Sequence, residues 1–476
     1  MSLQFITGNS GNGKTKYLFN RIVKEAKANP RDNYLVIVPE QFTMQTQRQL
    51  VDLSENKAIM NIDVLSFKRL AYRVFDELGI TNLTVLEETG KNLVLRKLAA
   101  QEADKLGVIG RNLNRIGYIS EVKSLLSELV QYNISPEELG RYIASGRLSD
   151  TLSDKLKDVL VLYEAFEKFM QDKYITAEEI LNVLSNVAEE SAILRNSVIA
   201  FDEFTGFTPI QNQLIKKLFV ISKKIYVTLT IDCREDIFKS RGMQELFDMP
   251  KRTVKSLTEM AAFYGIEVEE PIILDKNYRL AENEELSVME QQLFRKRRCS
   301  FKKAPKHIHI DCLRDPKQEL TKIARRINEL VRNENLRYRD IAIVTGDVNI
   351  YAGYVREIFD KYNIPYFIDA TQEILFHPFI EFIRSIPDIA AQNFSADAVF
   401  RFLRCGFTEL SASEIDVLEN YVLACGVRGK SAWDKKWVRL PKHKAGYDLE
   451  LLNQSREYIM ELLKPVYQVF SNKKST

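Results

Sequence analysis

Short apolar runs alternate with amphipathic stretches in two parts of the chain, residues 1–85 and 190–280. Buried parallel strands appear in a sequence as nearly continuous runs of β-branched and aromatic residues, and helices as apolar positions of period 3.6. The alternation therefore predicts one α/β domain with a parallel sheet, divided in sequence by residues 86–189. The predicted strands are Leu3–Thr7, Tyr34–Val38, Ile62–Leu65, Ser197–Phe201 and Ile225–Ile231. Helices are predicted at Lys14–Ala28, at Ser66–Phe75 with Ser66 as the N-cap, and at Pro209–Phe219.

The intervening residues 86–189 show helical periodicity without a strand pattern, and Gly107, Gly110 and Pro136 break it. We interpret them as a helical insertion. A helix is also predicted from about Glu282 to Phe294.

A second alternation predicts the start of another α/β domain at residues 300–376. Beyond it, residues 377–476 are again predicted to be helical, as a second insertion that is truncated. The second domain has predicted strands at His307–Ile310, Ile341–Val344 and Pro365–Ile368, and predicted helices at Lys317–Val331 and Tyr351–Tyr362.

Composition adds little beyond an ordinary soluble protein. The 476 residues are 45% hydrophobic and 28% charged, and the net charge of +3 gives no global signature of nucleic-acid binding. Five scattered cysteines without C-x-x-C spacing suggest neither a zinc site nor a disulfide framework. No apolar run approaches the length of a membrane span, so we expect a cytoplasmic location.

The most specific motif lies between the first strand and the first helix, where G-N-S-G-N-G-K-T fits the phosphate-binding pattern G-x-x-x-x-G-K-[ST]. Glycines let backbone N–H groups surround a di- or triphosphate, and the helix N-terminus adds positive potential. The lysine is expected to reach the β- and γ-phosphates, and the threonine hydroxyl to hold Mg²⁺. The alternative is a structural glycine-rich turn. The predicted nucleotide-binding residues are Gly8, Asn9, Ser10, Gly11, Asn12, Gly13, Lys14 and Thr15.

Two acids, Asp202 and Glu203, directly follow the strand Ser197–Phe201. A P-loop site needs an acid at a strand end to hold Mg²⁺, so Asp202 is the predicted metal ligand together with Thr15. Glu203 is the predicted catalytic residue, which would orient or deprotonate an attacking water.

Two other features have a structural interpretation that we prefer. A basic cluster between Arg295 and Lys306 is more typical of a solvated linker than of a phosphate track. His307 and His309 alternate on a predicted strand without further ligands, which favours structure over a metal site.

Several stretches resemble the AddB family, the B subunits of bacterial AddAB ATP-dependent helicase–nucleases. The resemblance extends from Leu3 to about Trp437. It rests on Val38–Thr43, Val64–Phe67, Phe201–Pro209, Tyr338–Ala342 and Leu418–Tyr421.

The resemblance implies a P-loop NTPase fold of the superfamily 1 helicase type, with parallel-sheet core domains and large helical insertions. It also implies ATP and Mg²⁺ as cofactors, and Arg279 as a contact to the γ-phosphate. The chain departs from a working motor where such motors carry a phosphate-sensing glutamine, because Glu235 stands there and cannot donate as an amide does. The resemblance further implies that the chain corresponds to the N-terminal helicase-like part of the subunit, as an excised piece or a truncated gene product. The C-terminal nuclease domain and its iron–sulfur cluster are therefore not expected in it.

The expected function is a nucleotide- and DNA-binding subunit of a heterodimer, in which the A subunit is the motor and double-strand ends are processed for recombinational repair. Aromatic side chains can stack bases, and arginine can pair with base edges or phosphates. Phe67 is equally compatible with a core contact. The residues that the resemblance places along single-stranded DNA are Gln41, Thr43, Phe67, Arg69, Tyr72 and Phe207.

Two alternatives remain open at this point. The first is an active superfamily 1 helicase, for which DNA-stimulated ATPase activity would be diagnostic. The second is a P-loop kinase of a small metabolite, although such enzymes rarely need a second α/β domain and two long helical insertions.

Overall fold

A computed structural model describes residues 1–81, 84–108, 110, 117–146, 148–170, 174–295, 300–370, 374–441 and 446–471. The chain divides into two compact units, Met1–His309 and Ile310–Thr476.

The first unit is built on a seven-stranded parallel sheet. The strands are β1 (Ser2–Gly8), β2 (Tyr34–Ile37), β3 (Ile62–Leu65), β6 (Val198–Phe201), β7 (Lys224–Thr230), β8 (Glu267–Val268) and β9 (Ile272–Leu274). Their order is β3-β2-β6-β7-β1-β8, with β9 also pairing with β1. Every pairing in the sheet is parallel. Because β6, β7 and β1 are neighbours, the loops that follow them meet at one edge of the sheet.

Side chains alternate along the strands between two hydrophobic layers, one on each face of the sheet. Ile6, Val36, Ala200 and Tyr226 face one side, where they pack with α1 (Lys14–Ala28) and α2 (Thr43–Leu53). Intervening residues such as Phe201 face the other side and its larger core. That core is covered by α3 (Phe67–Leu78), α8 (Ile180–Val187), α9 (Pro209–Ile221) and α10 (Asp248–Phe263), and α11 (Glu284–Gln292) follows in the chain.

Local sequence signals set the helix boundaries. The Ser66 hydroxyl accepts from the Arg69 N–H, which confirms the predicted N-cap of α3. Thr208 and Gln211 form a capping box, and Pro209 occupies the first turn of α9.

Residues between Leu95 and Met170 of the predicted helical insertion form their own hydrophobic cluster, whereas α8, inside the predicted bounds of the insertion, packs on the sheet core. A short parallel pair joins β4 (Val85–Leu86) to β5 (Ile175–Thr176) at its two ends. The prediction of no strand in this block therefore misses one small ladder, which two residues per strand are too short to reveal. The helices are α4 (Glu88–Gln101), α5 (Tyr118–Gln131), α6 (Pro136–Ala144) and α7 (Asp150–Met170).

The second unit is helical, with two hydrophobic clusters. The helices are α12 (Pro316–Asn333), α13 (Val348–Lys361), α14 (Pro378–Ala391), α15 (Ala396–Arg404), α16 (Ala412–Cys425), α17 (Lys430–Asp434) and α18 (Leu449–Ser471). One cluster joins α12 to α13, and the other joins the later helices.

The three strands predicted for this region are wrong as secondary structure. His307–Ile310, Ile341–Val344 and Pro365–Ile368 are all described, and none of them forms a strand. A strand needs a hydrogen-bonded neighbour, which an apolar run does not itself supply. Most of the side chains in these three segments are exposed, and Val344 is 93% exposed. The division into α/β domains and insertions, beyond the two units, stays a prediction.

Candidate functional site

The glycine-rich loop between β1 and α1 is packed closely against the segment that follows β9. Gly11 and Gly13 have φ of +88° and +78°, values that favour glycine. A Cβ atom on Gly11 would lie 2.8 Å from Cβ of Arg279. The backbone N–H groups of Tyr278 and Arg279 donate to the Gly11 carbonyl at 3.0 and 3.4 Å. The segment after β9 thus fixes the outer side of the loop.

Lys14 begins α1 and folds back over this loop. Its Nζ donates to the carbonyl oxygens of Gly8 and Asn9, each at 3.0 Å. Burial lowers the pKa of Lys14 below its ordinary value, although the charges of Glu203 and Asp202 oppose that effect. The ammonium group is therefore a partly desolvated cation at the helix N-terminus.

Thr15 connects the loop to the acids after β6. Its hydroxyl lies 3.3 Å from Asp202 Oδ1 and 3.3 Å from Glu203 Oε1. Thr228, a buried residue of β7, donates a short hydrogen bond to the same Oδ1 of Asp202. Thr15 and Asp202, the two predicted Mg²⁺ ligands, are therefore neighbours, and their role in metal binding stays a prediction.

Asp202 is the most unusual carboxylate of this edge. It is 1% exposed, and its Oδ2 is buried without a hydrogen-bond partner among the described residues. Burial raises the pKa of the Asp202 carboxyl, while the Thr228 hydroxyl acts in the opposite direction. A buried oxygen left open, next to a hydroxyl and a second carboxylate, fits the oxygen ligands that Mg²⁺ prefers.

Glu203 is held in a strained backbone conformation, with φ of +65°. Few non-glycine residues occupy this region, and such strain concentrates at functional sites. The turn places its carboxylate over Thr15, at the rim of the same cavity.

These groups line one cavity of about 730 Å³, which is large enough for a small ligand. The structure brings together Lys14, Thr15, Asp202, Glu203 and Arg279 in it. Ser10, Gly11 and Gly13 of the loop also line it. Residues that the sequence analysis missed are Lys16, Phe19, Gln49, Asp52, Leu53, Phe204, Thr205, Thr228, Thr230 and Tyr278.

Two predicted loop residues have structural side chains. Asn9 Nδ2 donates to Glu290 at 2.8 Å, and its Oδ1 accepts from the Cys233 N–H at 2.9 Å. Asn12 Nδ2 donates to the Leu274 carbonyl at 2.6 Å. Both asparagines are buried, and the backbone N–H of Asn12 already donates to the Asn9 carbonyl at 3.2 Å.

The residues predicted to contact DNA fall into two groups. Gln41, Arg69 and Tyr72 are exposed, and Arg69 Nε pairs with Glu40 at 2.9 Å. Thr43 is buried, and its hydroxyl donates to the Glu40 carbonyl at 3.0 Å.

Phe67 is only 7% exposed, and it packs with Phe201, Phe204 and Phe207 in one aromatic cluster. Phe207 is partly buried there. The core interpretation therefore fits Phe67. In this conformation neither the Thr43 nor the Phe67 side chain is accessible to a base. Phe67 is buried between α3 and the sheet, and the Thr43 hydroxyl is hydrogen-bonded at the start of its own helix.

A second buried acid follows β7. Asp232 is held by Arg234 Nη2 at 2.6 Å and by Arg295 Nε at 3.0 Å. Burial alone would raise the pKa of Asp232, but the hydrogen bonds from Arg234 and the charge of Arg295 lower it to about 2. Nearby, Glu235 pairs with Lys251 at 2.6 Å.

The remaining candidates add no site. Among the described ranges, no group of three or more histidine, cysteine, aspartate or glutamate side chains is arranged to hold a metal ion. Glu285 accepts from the His307 N–H at 2.8 Å. Part of the basic cluster, residues 296–298, lies outside the described residues, as does Cys299. None of the helices in the described part has the length and apolar character needed to cross a membrane.

Fold and site together define a class: a parallel α/β protein with a glycine-rich loop, a lysine and a buried acid around one cavity at the carboxyl edge of its sheet. Residues 5–290 match the family model described as ADDB, N-terminal. The chain therefore belongs to the AddB family.

Curated relatives agree with this assignment. The chain is similar to proteins named as the B subunits of ATP-dependent helicase/deoxyribonucleases from Lachnoclostridium phytofermentans (39% identity), Clostridium tetani (33%) and Caldanaerobacter subterraneus (33%). These matches cover 99–100% of the chain and 42% of each relative. The chain thus spans about two fifths of the length of these relatives, whose name is that of one component of a helicase–nuclease.

Proposed function

We propose that this chain is the nucleotide-binding and DNA-binding, helicase-like part of a helicase–nuclease B subunit of superfamily 1 ancestry. It would act in the cytoplasm with an A subunit on double-strand DNA ends during recombinational repair. The observation that carries the nucleotide part is the convergence of Lys14, Thr15, Asp202 and Arg279 on one cavity beside the glycine-rich loop.

The residues divide the work of holding a nucleoside triphosphate. Backbone N–H groups of the loop would bind phosphate oxygens, and Lys14 would exchange the Gly8 and Asn9 carbonyls for the β- and γ-phosphates. Thr15 and Asp202 would hold Mg²⁺, which neutralises phosphate charge when it is bound. Arg279, at the mouth of the cavity, would pair with the γ-phosphate.

We further propose that the chain holds ATP with weak or no turnover. Glu203 would orient a water, but Glu235, which pairs with Lys251, cannot supply the amide that motors use at this position. The chain would then serve as a scaffold for a partner motor rather than as a motor itself.

The DNA part of the proposal rests on the exposed group. Tyr72 is 39% exposed and can stack a base, and Arg69 can turn from Glu40 to phosphate or a base edge. Gln41 adds an amide beside them. Thr43, Phe67 and Phe207 are buried or partly buried, and we assign them a supporting role in this surface.

The test compares the chain with Lys14→Ala in ATP binding and in ATPase activity, with and without single-stranded DNA. Lys24→Ala is the matched control, because Lys24 is an exposed lysine of the same helix. We expect ATP affinity to fall by about 100-fold in Lys14→Ala, since a charge-assisted contact is lost, and to be unchanged in the control.

Other outcomes would separate the alternatives. DNA-stimulated turnover that Lys14→Ala abolishes would establish an active superfamily 1 helicase and contradict the scaffold. A phosphorylated metabolite among the products would establish a small-molecule kinase. ATP affinity that is equal in all three proteins would contradict the nucleotide site itself.

A further inference from the structure

Thr228 is a buried hydroxyl residue within β7, away from the loops that carry the predicted site residues. It is 3% exposed, and its hydroxyl donates to Asp202 Oδ1. On this basis we propose that Thr228 is a positioning residue for the metal site, which holds one oxygen of Asp202 and leaves the other for Mg²⁺. The inference rests on the nucleotide site proposed above and adds a residue that the loop motif does not contain.

Sheet register explains why this residue reaches Asp202. Ala200 pairs with Tyr226, and Phe201 with Val227, so Asp202 follows on the face that carries Thr228. Ala200 and Tyr226 both belong to the layer under α1, the helix that supplies Thr15. Asp202 therefore lies between a strand hydroxyl and a helix hydroxyl.

The two oxygens of the Asp202 carboxylate are in different situations. Oδ1 faces two hydroxyls, those of Thr228 and Thr15. Oδ2 is buried and has no partner among the described residues. If Mg²⁺ binding recruits Thr15, Thr228 is the hydroxyl that stays on Oδ1 and keeps the carboxylate from rotating. Such outer hydrogen bonds orient a metal ligand, and their loss typically weakens metal affinity 10–100-fold.

The experiment measures binding of a fluorescent ATP analogue as Mg²⁺ is titrated, and again in EDTA. Thr228→Val removes the hydroxyl at nearly constant volume. In Thr228→Val we expect the Mg²⁺ concentration that gives half of the maximal increase in nucleotide binding to rise about 10-fold. The affinity for the nucleotide in EDTA should be unchanged. Thr228→Ser restores the hydroxyl and should recover the wild-type Mg²⁺ dependence, which a purely structural role of the γ-methyl group would not.

Thr7→Val is the matched control, because Thr7 is a buried threonine of the adjacent strand β1 whose hydroxyl has no hydrogen-bond partner among the described residues. We expect wild-type Mg²⁺ dependence from it. Circular dichroism checks the fold, and Thr228→Ala replaces Thr228→Val if the valine variant does not fold.

The outcomes distinguish this inference from the proposed function. Wild-type Mg²⁺ dependence in Thr228→Val, or an equal rise in Thr7→Val, overturns the role of Thr228 and leaves the nucleotide site intact. Absence of nucleotide binding by the wild-type chain overturns the proposed site and, with it, this inference.

Discussion

Two buried aspartates at the ends of neighbouring strands have opposite environments. Asp202 follows β6 and Asp232 follows β7, and each is 1% exposed. Asp232 is paired by two arginines, at 2.6 and 3.0 Å. Asp202 lies beside the hydroxyls of Thr15 and Thr228 and next to Glu203. It forms no ion pair among the described residues, and its Oδ2 has no hydrogen-bond partner among them. An aspartate beyond the end of each strand is thus paired with arginines in one case and, within the described part of the chain, left without a cationic partner in the other.

The difference indicates how the protein separates stability from function at one sheet edge. A buried carboxylate is costly unless it is paired, so the paired Asp232 contributes to the folded state. The unpaired Asp202 is expected to lower the stability of the ligand-free fold. Of these two aspartates, only Asp202 lines the cavity with Lys14 and Thr15.

The largest expected effect is on stability, in Asp232→Ala. The substitution leaves Arg295, which is 13% exposed, without its carboxylate. We expect the free energy of unfolding to fall by about 3–5 kcal/mol, because an unpaired buried charge remains. Urea denaturation of the ligand-free chain would measure it. Asp236→Ala, in an exposed pair with Lys239, is the control and should cost less than about 1 kcal/mol. Equal losses in the two variants would contradict a structural role specific to Asp232.

The next effect is on binding, in Asp202→Asn. We expect affinity for Mg·ATP to fall by at least about 100-fold, since a ligand should matter no less than its outer partners do. The ligand-free protein should be as stable as wild type or slightly more stable. Burial raises the pKa of Asp202, which means that the charged form is disfavoured in the fold.

Isothermal titration and urea denaturation on the same preparations would test both parts. A variant that loses stability and keeps Mg·ATP affinity would reverse the roles that we assign to the two aspartates.

The sequence identified Asp202 as a candidate metal ligand, but it did not predict that Asp232 is paired with arginines and Asp202 is not. The reason is that these contacts join residues far apart in the sequence. The loop Gly8–Thr15 and the strand ends are local patterns, and α1 and β3 have the predicted bounds. The partner Arg295 lies 63 residues from Asp232, and Thr228 lies 26 residues from Asp202. Such pairings depend on strand order, which periodicity does not contain.

The same limit applies to other parts of the chain. Phe67 begins α3 on the face that packs against Phe201, so its burial follows from which side of the sheet α3 covers. Ile341–Val344 has the composition of a strand but no neighbour in the described structure. Helix α2 was missed because Thr43–Leu53 is largely polar, with an apolar face too narrow to be recognised beside β2.

The smallest effect that separates the two acids is the pH dependence of stability. The arginines lower the pKa of Asp232 to about 2 in the fold, against an ordinary value of 3.8. A depressed folded-state pKa contributes stability above the unfolded-state pKa, and that contribution is lost as pH falls through the folded-state value. The full contribution is about 2 kcal/mol, and roughly half of it should be lost by pH 3.

The measurement is the difference in free energy of unfolding between wild type and Asp232→Asn, at pH 6 and at pH 3. We expect this difference to narrow by about 1 kcal/mol at the lower pH, because the asparagine cannot titrate. For Asp202→Asn the stability difference has the opposite sign, because the variant is expected to be at least as stable as wild type. Protonation of Asp202 removes the buried charge, so any stability advantage of the asparagine variant should shrink as pH falls. If the difference in free energy of unfolding between wild type and Asp232→Asn is the same at both pH values, the charge of Asp232 does not stabilise the fold through Arg234 and Arg295.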